Sequence, residues 1–155
     1  MLVFKTSSPD ETFCFGQQLS KLVSAGYVLC LAGDLGAGKT LLVQGLAKGL
    51  NIAEKVTSPT FTILQVYEAA LPLYHFDLYR LEHPAELQDI GFEEYIASDG
   101  VVVIEWPDKF PEELPDEYLW IEIKLGALET ERLLTISAQG TRYQRLCEEL
   151  KICLF

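Results

Sequence analysis

The sequence predicts an α/β fold in which helices cover a sheet that is partly parallel and partly antiparallel. Unbroken apolar runs at 27–32 and 101–104 are typical of strands buried on both faces, and helical patterns flank the first of them. Later β-rich runs predict antiparallel hairpins. The chain has 155 residues, of which 49% are hydrophobic, so we expect residues 1–155 to form one domain.

The first 50 residues alternate between helix and strand. Ser8 and Pro9, followed by two acids, are typical of a helix start, because serine caps free N–H groups and acids favour the positive helix end. The apolar spacing predicts that this helix runs to about Ala25, with Gly26 ending it. A buried strand follows at 27–32, and leucines at helical spacing predict a second helix over 39–50.

The remaining chain predicts shorter elements. Two β-rich runs, 61–67 and 73–76, are separated by a short polar segment and predict a hairpin. Further predicted elements are short helices at 84–90 and 92–97, a buried strand at 101–104, a proline-rich loop at 107–116, a hairpin of 118–125 with 132–137, and a last helix at 143–150. The segment 151–155 matches no motif.

A glycine-rich segment at 33–40, GDLGAGKT, fits the pattern GxxxxGK(S/T) and lies between a predicted buried strand and a helix. Glycines let the backbone wrap closely and point N–H groups at phosphate oxygens, and the following helix adds its positive end. Lys39 can reach the β- and γ-phosphates, and the Thr40 hydroxyl can bind Mg²⁺. The expected ligand is a nucleoside triphosphate with magnesium. Together with the α/β pattern, this segment predicts a three-layer P-loop NTPase-like fold with a mixed parallel and antiparallel sheet.

Two acids end apolar runs elsewhere in the chain. Glu105 follows the run 101–104, and a carboxylate at a strand end beside the phosphate loop can serve a metal-bound nucleotide. Asp77 ends another apolar run and could contact magnesium through water or orient an attacking water. The alternatives are a solvated strand-end glutamate and a helix-capping aspartate.

A hydroxyl-rich segment, 57–61, lies between these elements and is placed to respond to a γ-phosphate as a switch. A plain loop leading into a strand is the equal alternative. Trp106, next to Glu105, either packs in the core or presents its ring to a partner.

Four motifs in order, GDLGAGKT, SPTF, HFDLYRL and IEWP, closely resemble those of the TsaE family, also called YjeE. The resemblance implies an ATPase role in making N6-threonylcarbamoyladenosine at position 37 of tRNAs that read codons starting with A. It implies that the protein binds ATP, associates with TsaB and TsaD, and by hydrolysis resets that complex without performing the transfer itself.

The resemblance also assigns roles to residues. It implies that Lys39, Asp77 and Glu105 are catalytic, that Thr40 and Glu105 hold magnesium, and that the base lies between Glu11 and Arg132. Trp106 and the segment 58–61 become partner or switch elements. The phosphate-binding residues of the loop are Gly33, Asp34, Leu35, Gly36, Ala37, Gly38, Lys39 and Thr40.

Charge and composition exclude several function classes. A net charge of −11 disfavours direct binding to nucleic acid, so tRNA is expected to be met only through protein partners. The apolar runs are too short for a membrane span, and the N-terminus does not read as a signal peptide, so we expect a cytoplasmic protein.

Three other functions are alternatives to an ATPase role. A GTPase needs NKxD and DxxG segments, and neither occurs. A small-molecule kinase usually brings an arginine-bearing lid, whereas the arginines here do not cluster. A nucleotide-sensing binding module would differ from an ATPase mainly in its rate.

Overall fold

A computed structural model describes residues 1–154, and its seven-stranded sheet has the order β1-β7-β6-β2-β5-β4-β3. The strands are β1 (Leu2–Thr6), β2 (Val28–Ala32), β3 (Leu64–Tyr67), β4 (Leu73–Asp77), β5 (Val101–Glu105), β6 (Tyr118–Leu125) and β7 (Arg132–Gln139). The helices are α1 (Pro9–Ser20), α2 (Lys39–Gly49), α3 (Ala85–Asp89), α4 (Phe92–Ile96) and α5 (Thr141–Leu154). Short 3₁₀ turns cover Pro107–Lys109 and Pro111–Glu113.

The sheet is parallel in its centre and antiparallel at its sides. Strands β6, β2, β5 and β4 run parallel to one another, whereas β3, β7 and β1 join through antiparallel pairs. The predicted mixed sheet is therefore confirmed. Because parallel strands end at the same edge, the loops after β2, β4 and β5 meet there, which is where α/β proteins usually bind ligands.

Helices cover both faces of the sheet and form two apolar cores. Strand β2 is buried throughout, and its side chains alternate between the cores, with Leu29 and Leu31 on one side and Val28 and Cys30 on the other. The first core includes residues of α1, α2 and α5, and the second includes residues of α3 and α4. This arrangement confirms the predicted three-layer α/β fold.

Helices α1 and α2 approach each other closely through glycines. A Cβ atom built on Gly45 would overlap the backbone oxygen of Phe13, and one on Gly16 would overlap the backbone oxygen of Leu42. The close contact therefore depends on the absence of side chains at these two positions. It holds α2, and with it the loop that precedes α2, against α1.

Helix α1 begins as predicted but ends earlier. Ser8 caps it by accepting a 3.2 Å hydrogen bond from the Glu11 N–H. The predicted end at Ala25 is wrong, because the helix stops at Ser20 and Lys21 tightens the last turn by donating to the Gln18 oxygen. The residues from Lys21 to Gly26 then form the connection that leads into β2.

Helix α2 ends near Gly49, as predicted. The left-handed residue that closes it is Asn51, with φ 62°, and Ile52 donates to the Ala47 oxygen across that turn. This pattern satisfies the last carbonyl groups of the helix.

Other boundaries differ from the prediction. Strand β1 was not predicted, and β3 begins at Leu64 because Ile63 takes a left-handed φ of 70° that interrupts an extended run. Helix α5 extends through Leu154, and Phe155 of the unmatched segment 151–155 lies outside the described residues. Among the helices described, none combines the length and apolar character needed to cross a membrane.

Candidate functional site

The glycine-rich segment 33–40 connects β2 to α2 at the carboxyl edge of the parallel strands. Gly36 and Gly38 have φ values of 80° and 109°, a region that glycine enters without a Cβ penalty. The Ala37 N–H donates to the Asp34 oxygen at 3.1 Å, which closes a turn within the loop. Leu35 is 68% exposed at its tip. The loop thus wraps around the N-terminus of α2.

Lys39 is buried at the first position of α2. Its ammonium group donates to the backbone oxygens of Gly33 and Asp34, the latter at 3.3 Å, and lies 4.1 Å from the Trp106 ring centre. Burial lowers the pKa of Lys39, and the nearby carboxylates of Glu105 and Asp77 oppose this by favouring the charged form. A partly desolvated cation inside a curled loop is suited to a compact anion.

The two strand-end acids stand side by side. Asp77 and Glu105 are register partners on the neighbouring parallel strands β4 and β5, and both are buried. The structure thus brings the two strand-end acids together, and their metal-binding and catalytic roles stay predictions. Asp77 accepts 3.0 Å hydrogen bonds from the Tyr79 N–H and from the Thr60 hydroxyl.

The hydroxyl-rich segment 57–61 is tied to Asp77. Besides Thr60, the Ser58 hydroxyl donates to Asp77 at 3.4 Å, and the two hydroxyls lie 2.9 Å apart. Gln44 of α2 donates to the Val56 oxygen at 2.9 Å at the start of the segment. The segment therefore connects helix α2 with a strand-end acid. Phe61 at its end is 82% exposed and lies under the Arg80 guanidinium.

Trp106 is partly buried at the end of β5. Its backbone is left-handed, with φ 58°, which is unusual for a large residue. The ring stands between the Lys39 ammonium group and the Tyr79 ring, whose centre is 4.9 Å away. The ring packs against the core on the α3 and α4 side of the sheet, which confirms the first alternative in part, and presentation of the ring to a partner stays a prediction.

One cleft of about 470 Å³ joins these groups. It is lined by residues 35–41 of the loop and α2, and by Gln44, Ser58, Thr60, Asp77, Glu105 and Trp106. We call it the loop cleft. Five of its residues, Lys39, Thr40, Asp77, Glu105 and Trp106, come from three segments that are distant in sequence.

Arg132 and Glu11, predicted to flank the base, border different clefts. Arg132 donates to the Ala37 oxygen at 2.8 Å and lines a cleft of about 250 Å³ with Thr12, Gly38 and Thr130. Glu11 accepts from the Ser7 N–H at the start of α1 and lines another cleft, beside Cys14. The cleft beside Arg132 is also lined by Pro9 and Thr12 at the start of α1, and the role of Glu11 and Arg132 toward a base stays a prediction.

His75 was not predicted from the sequence as a site residue. This side chain is fully buried on β4, and its Nε2 lies 2.5 Å from a carboxylate oxygen of Glu105. The period-2 alternation of a strand puts residues 75 and 77 on one face, so a polar residue in that run was a signal that could have identified it.

The oxygen donors around the loop cleft fit a magnesium ion. Mg²⁺ takes hydroxyl, carboxylate, water and phosphate oxygens rather than sulfur or nitrogen. The Thr40 hydroxyl makes no hydrogen bond within residues 1–154, and Glu105 uses one carboxylate oxygen for His75. The described residues contain no group of three or more His, Cys, Asp or Glu side chains arranged to hold a metal by themselves.

The model of one protein family matches residues 6–134, and its description is "Threonylcarbamoyl adenosine biosynthesis protein TsaE". The chain belongs to the TsaE family. The resemblance read from the four motifs is confirmed, and TsaE membership assigns the chain to threonylcarbamoyladenosine biosynthesis.

Individual TsaE relatives are similar over most of the chain. The tRNA threonylcarbamoyladenosine biosynthesis protein TsaE of Bacillus subtilis (strain 168) is 45% identical over 150 residues, covering 96% of this chain and 93% of the relative. The protein of the same name from Treponema pallidum (strain Nichols) is 44% identical over 120 residues, covering 77% and 89%. The crystal structure of Bacillus subtilis YdiB has a TM-score of 0.86 and 40% identity, covering 98% of this chain and 95% of YdiB.

Proposed function

We propose that this TsaE-family protein binds ATP with Mg²⁺ in the loop cleft and hydrolyses it. We further propose that it acts with TsaB and TsaD homologues in the threonylcarbamoyladenosine modification at position 37 of tRNAs that read codons starting with A. One observation carries the proposal: a buried lysine, a curled glycine-rich loop and two strand-end carboxylates border the same cleft.

The loop supplies the groups that a triphosphate needs. Backbone N–H groups from Gly36 to Thr40 and the N-terminus of α2 favour negative charge. Lys39 already holds its ammonium group on the oxygens of Gly33 and Asp34, inside the loop. The remaining loop residues, Gly33, Asp34 and Leu35, would complete the phosphate-binding segment.

Thr40 and Glu105 are the proposed magnesium-holding residues. Both line the loop cleft, and their hydroxyl and carboxylate oxygens suit this ion. Bound magnesium would neutralise charge on the β- and γ-phosphates. Because Glu105 is buried and held by His75, its carboxylate is oriented before any ligand enters.

Asp77 is the proposed water-orienting residue. Its carboxylate borders the cleft beside Glu105 and already accepts hydrogen bonds from Thr60 and the Tyr79 N–H. A carboxylate held in this way can align a water molecule for attack on the γ-phosphate. Since Ser58 and Thr60 donate to the same acid, a shift of segment 57–61 would alter Asp77, which supports a switch role.

The base would lie on the Arg132 side of the loop. Arg132 holds the Ala37 oxygen and lines the cleft that continues from Gly38. Glu11 remains a proposed contributor at the other flank. The charge of the chain supports contact with tRNA through partners, because a net charge of −11 repels a phosphate backbone.

The test of nucleotide and metal binding is calorimetry with ATP in the presence and absence of Mg²⁺. We expect Thr40→Ala to weaken magnesium-dependent binding by about tenfold, because a metal ligand is lost. Thr62→Ala, at an exposed position outside the cleft, is the matched control. Equal affinities for Thr40→Ala and the native chain, with and without Mg²⁺, would remove Thr40 from the metal site.

Single-turnover hydrolysis, with and without TsaB and TsaD homologues, separates the remaining functions. We expect slow hydrolysis by the chain alone and faster hydrolysis with the partners. Binding without hydrolysis in either case would indicate a nucleotide-sensing module, and phosphoryl transfer to a small molecule would indicate a kinase.

We also expect the isolated protein to bind tRNA weakly at physiological salt, because its charge is repulsive. Gel-shift titration across a range of salt concentrations measures this. A tight, salt-sensitive complex without partners would contradict the charge argument.

A further inference from the structure

His75 is a polar side chain placed where an apolar one would be expected. It occupies the middle of β4, is fully buried, and pairs in register with Val103 on β5. Strand alternation puts it on the same face as Leu73 and Asp77. Leu73 and Val103 both belong to the core between the sheet and helices α1, α2 and α5.

The imidazole makes one hydrogen bond and leaves its other nitrogen without a partner. Nε2 lies 2.5 Å from Oε2 of Glu105, whereas Nδ1 is a buried nitrogen with no hydrogen-bond partner in the described part of the chain. A carboxylate only accepts, so Nε2 carries the hydrogen and donates it.

Stability alone does not account for this arrangement. A buried polar atom without a partner destabilises the folded state, and well-packed apolar residues of similar volume usually replace buried polar pairs without loss. Among residues 1–154, the His75 side chain has one hydrogen-bond partner, Glu105, whose Oε2 it contacts while the carboxylate borders the loop cleft.

We propose that His75 is a positioning residue for Glu105. By donating from Nε2 to Oε2, it fixes the carboxylate in one orientation and leaves the second oxygen for the magnesium ion or its bound water. Hydrogen-bonded groups behind a metal ligand commonly tune metal affinity by tenfold to hundredfold. The inference rests on the proposed function, since it assigns His75 a role in the same site.

The test compares two substitutions of His75. His75→Met removes the donor at similar volume, and His75→Gln keeps an N–H group at about the same distance from the backbone. The readout is the Mg²⁺ concentration that gives half-maximal binding of a fluorescent, non-hydrolysable ATP analogue. His83→Gln, at an exposed position, is the control for loss of a histidine.

We expect His75→Met to raise the required Mg²⁺ concentration by about tenfold to hundredfold, with binding in the absence of Mg²⁺ unchanged. His75→Gln should restore most of the loss. Unfolding by denaturant should show His75→Met to be less stable than the native chain, because the buried Glu105 carboxylate loses its hydrogen-bond donor, so the Mg²⁺ requirement is measured under conditions where the variant is fully folded. A native Mg²⁺ requirement in His75→Met, or equal loss in His75→Met and His75→Gln, would overturn the inference.

A double-mutant cycle tests whether His75 acts through Glu105. In a Glu105→Ala background, His75→Met should change the Mg²⁺ requirement by less than about twofold, because the acceptor of the His75 hydrogen bond is absent. A full effect in that background would overturn the positioning role. A native chain that does not bind the analogue at all would overturn the proposed function itself, and this result differs from every outcome above.

Discussion

Two groups of glycines in this chain serve different purposes. Gly36 and Gly38 lie in the glycine-rich loop 33–40 with positive φ angles, and a Cβ built on Gly36 meets no atom within 4 Å. Gly16 and Gly45 lie inside α1 and α2, where a Cβ would overlap the backbone of the facing helix. Backbone conformation requires the loop glycines, and neighbouring atoms require the helical ones.

This difference between the two groups of glycines implies that the loop glycines matter for ligand binding and the helical glycines for folding. The loop is open to solvent. Lys39 is its one buried charged side chain, and burial partly desolvates its ammonium group, which is not held in a salt bridge within the described residues. The helix contact is closed and apolar around its glycines. Changes in the loop should therefore reduce binding with little effect on stability, and changes in the helix contact should do the reverse.

The largest expected effect is on the loop side. Lys39→Met should lower ATP affinity by about 100-fold or more, roughly 3 kcal/mol, because the buried cation proposed to bind the phosphates is lost. The free energy of unfolding should stay within about 1 kcal/mol of the native value. Calorimetry and denaturant unfolding measure the two quantities.

We also expect the difference in stability between the native chain and Lys39→Met to depend on pH. Because burial lowers the pKa of Lys39, the folded state binds fewer protons than the unfolded state between that pKa and the ordinary value of 10.5. The stability of the native chain relative to Lys39→Met should therefore rise as the pH increases through this range. A constant difference between neutral pH and pH 10.5 would contradict the desolvation of Lys39.

The next effect is on the helix side. Gly45→Ala should lower the free energy of unfolding by about 2 kcal/mol or more, because its methyl group meets a backbone carbonyl that cannot move without shifting α1. Lys48→Ala, at an exposed position of the same helix, should have little effect. Since alanine favours helix over glycine by about 1 kcal/mol, a stabilised Gly45→Ala would show that the helices do not make this close contact.

The smallest effect is expected at Gly36. Gly36→Ala adds a methyl group to open space, so only the left-handed backbone opposes it, at about 1 kcal/mol. Stability should fall by that amount or less, with a modest loss of ATP affinity as the loop relaxes. A loss as large as that of Gly45→Ala, measured by unfolding, would remove the distinction between the two groups.

Much of the fold was predictable because its signals are local. The apolar run at 27–32, the leucine spacing of α2 and the Ser8 cap each depend on residues within a few positions. Strand β1 and the early end of α1 were not predictable, because an edge strand needs β7 as its partner and the α1 end reflects the path into β2.

The candidate site divides in the same way. The segment 33–40 and the two strand-end acids were predicted from motif and hydrophobic pattern, whereas the register that pairs Asp77 with Glu105 was not predicted and is seen only in the structure. His75 was missed because its partner Glu105 is 30 residues away. Arg132 and Ala37 are 95 residues apart, so their contact could not be predicted from neighbouring residues either.

By itself, the sequence determined the alternation of helices and strands, the glycine-rich loop and the acids that end two buried strands. These features follow from hydrogen bonding and hydrophobic periodicity between near neighbours. Only the tertiary structure decided which face of β4 meets Glu105, which hydroxyls hold Asp77 and which glycines let two helices touch. Those contacts depend on strand order and register, and no short segment encodes the position of a partner so far along the chain.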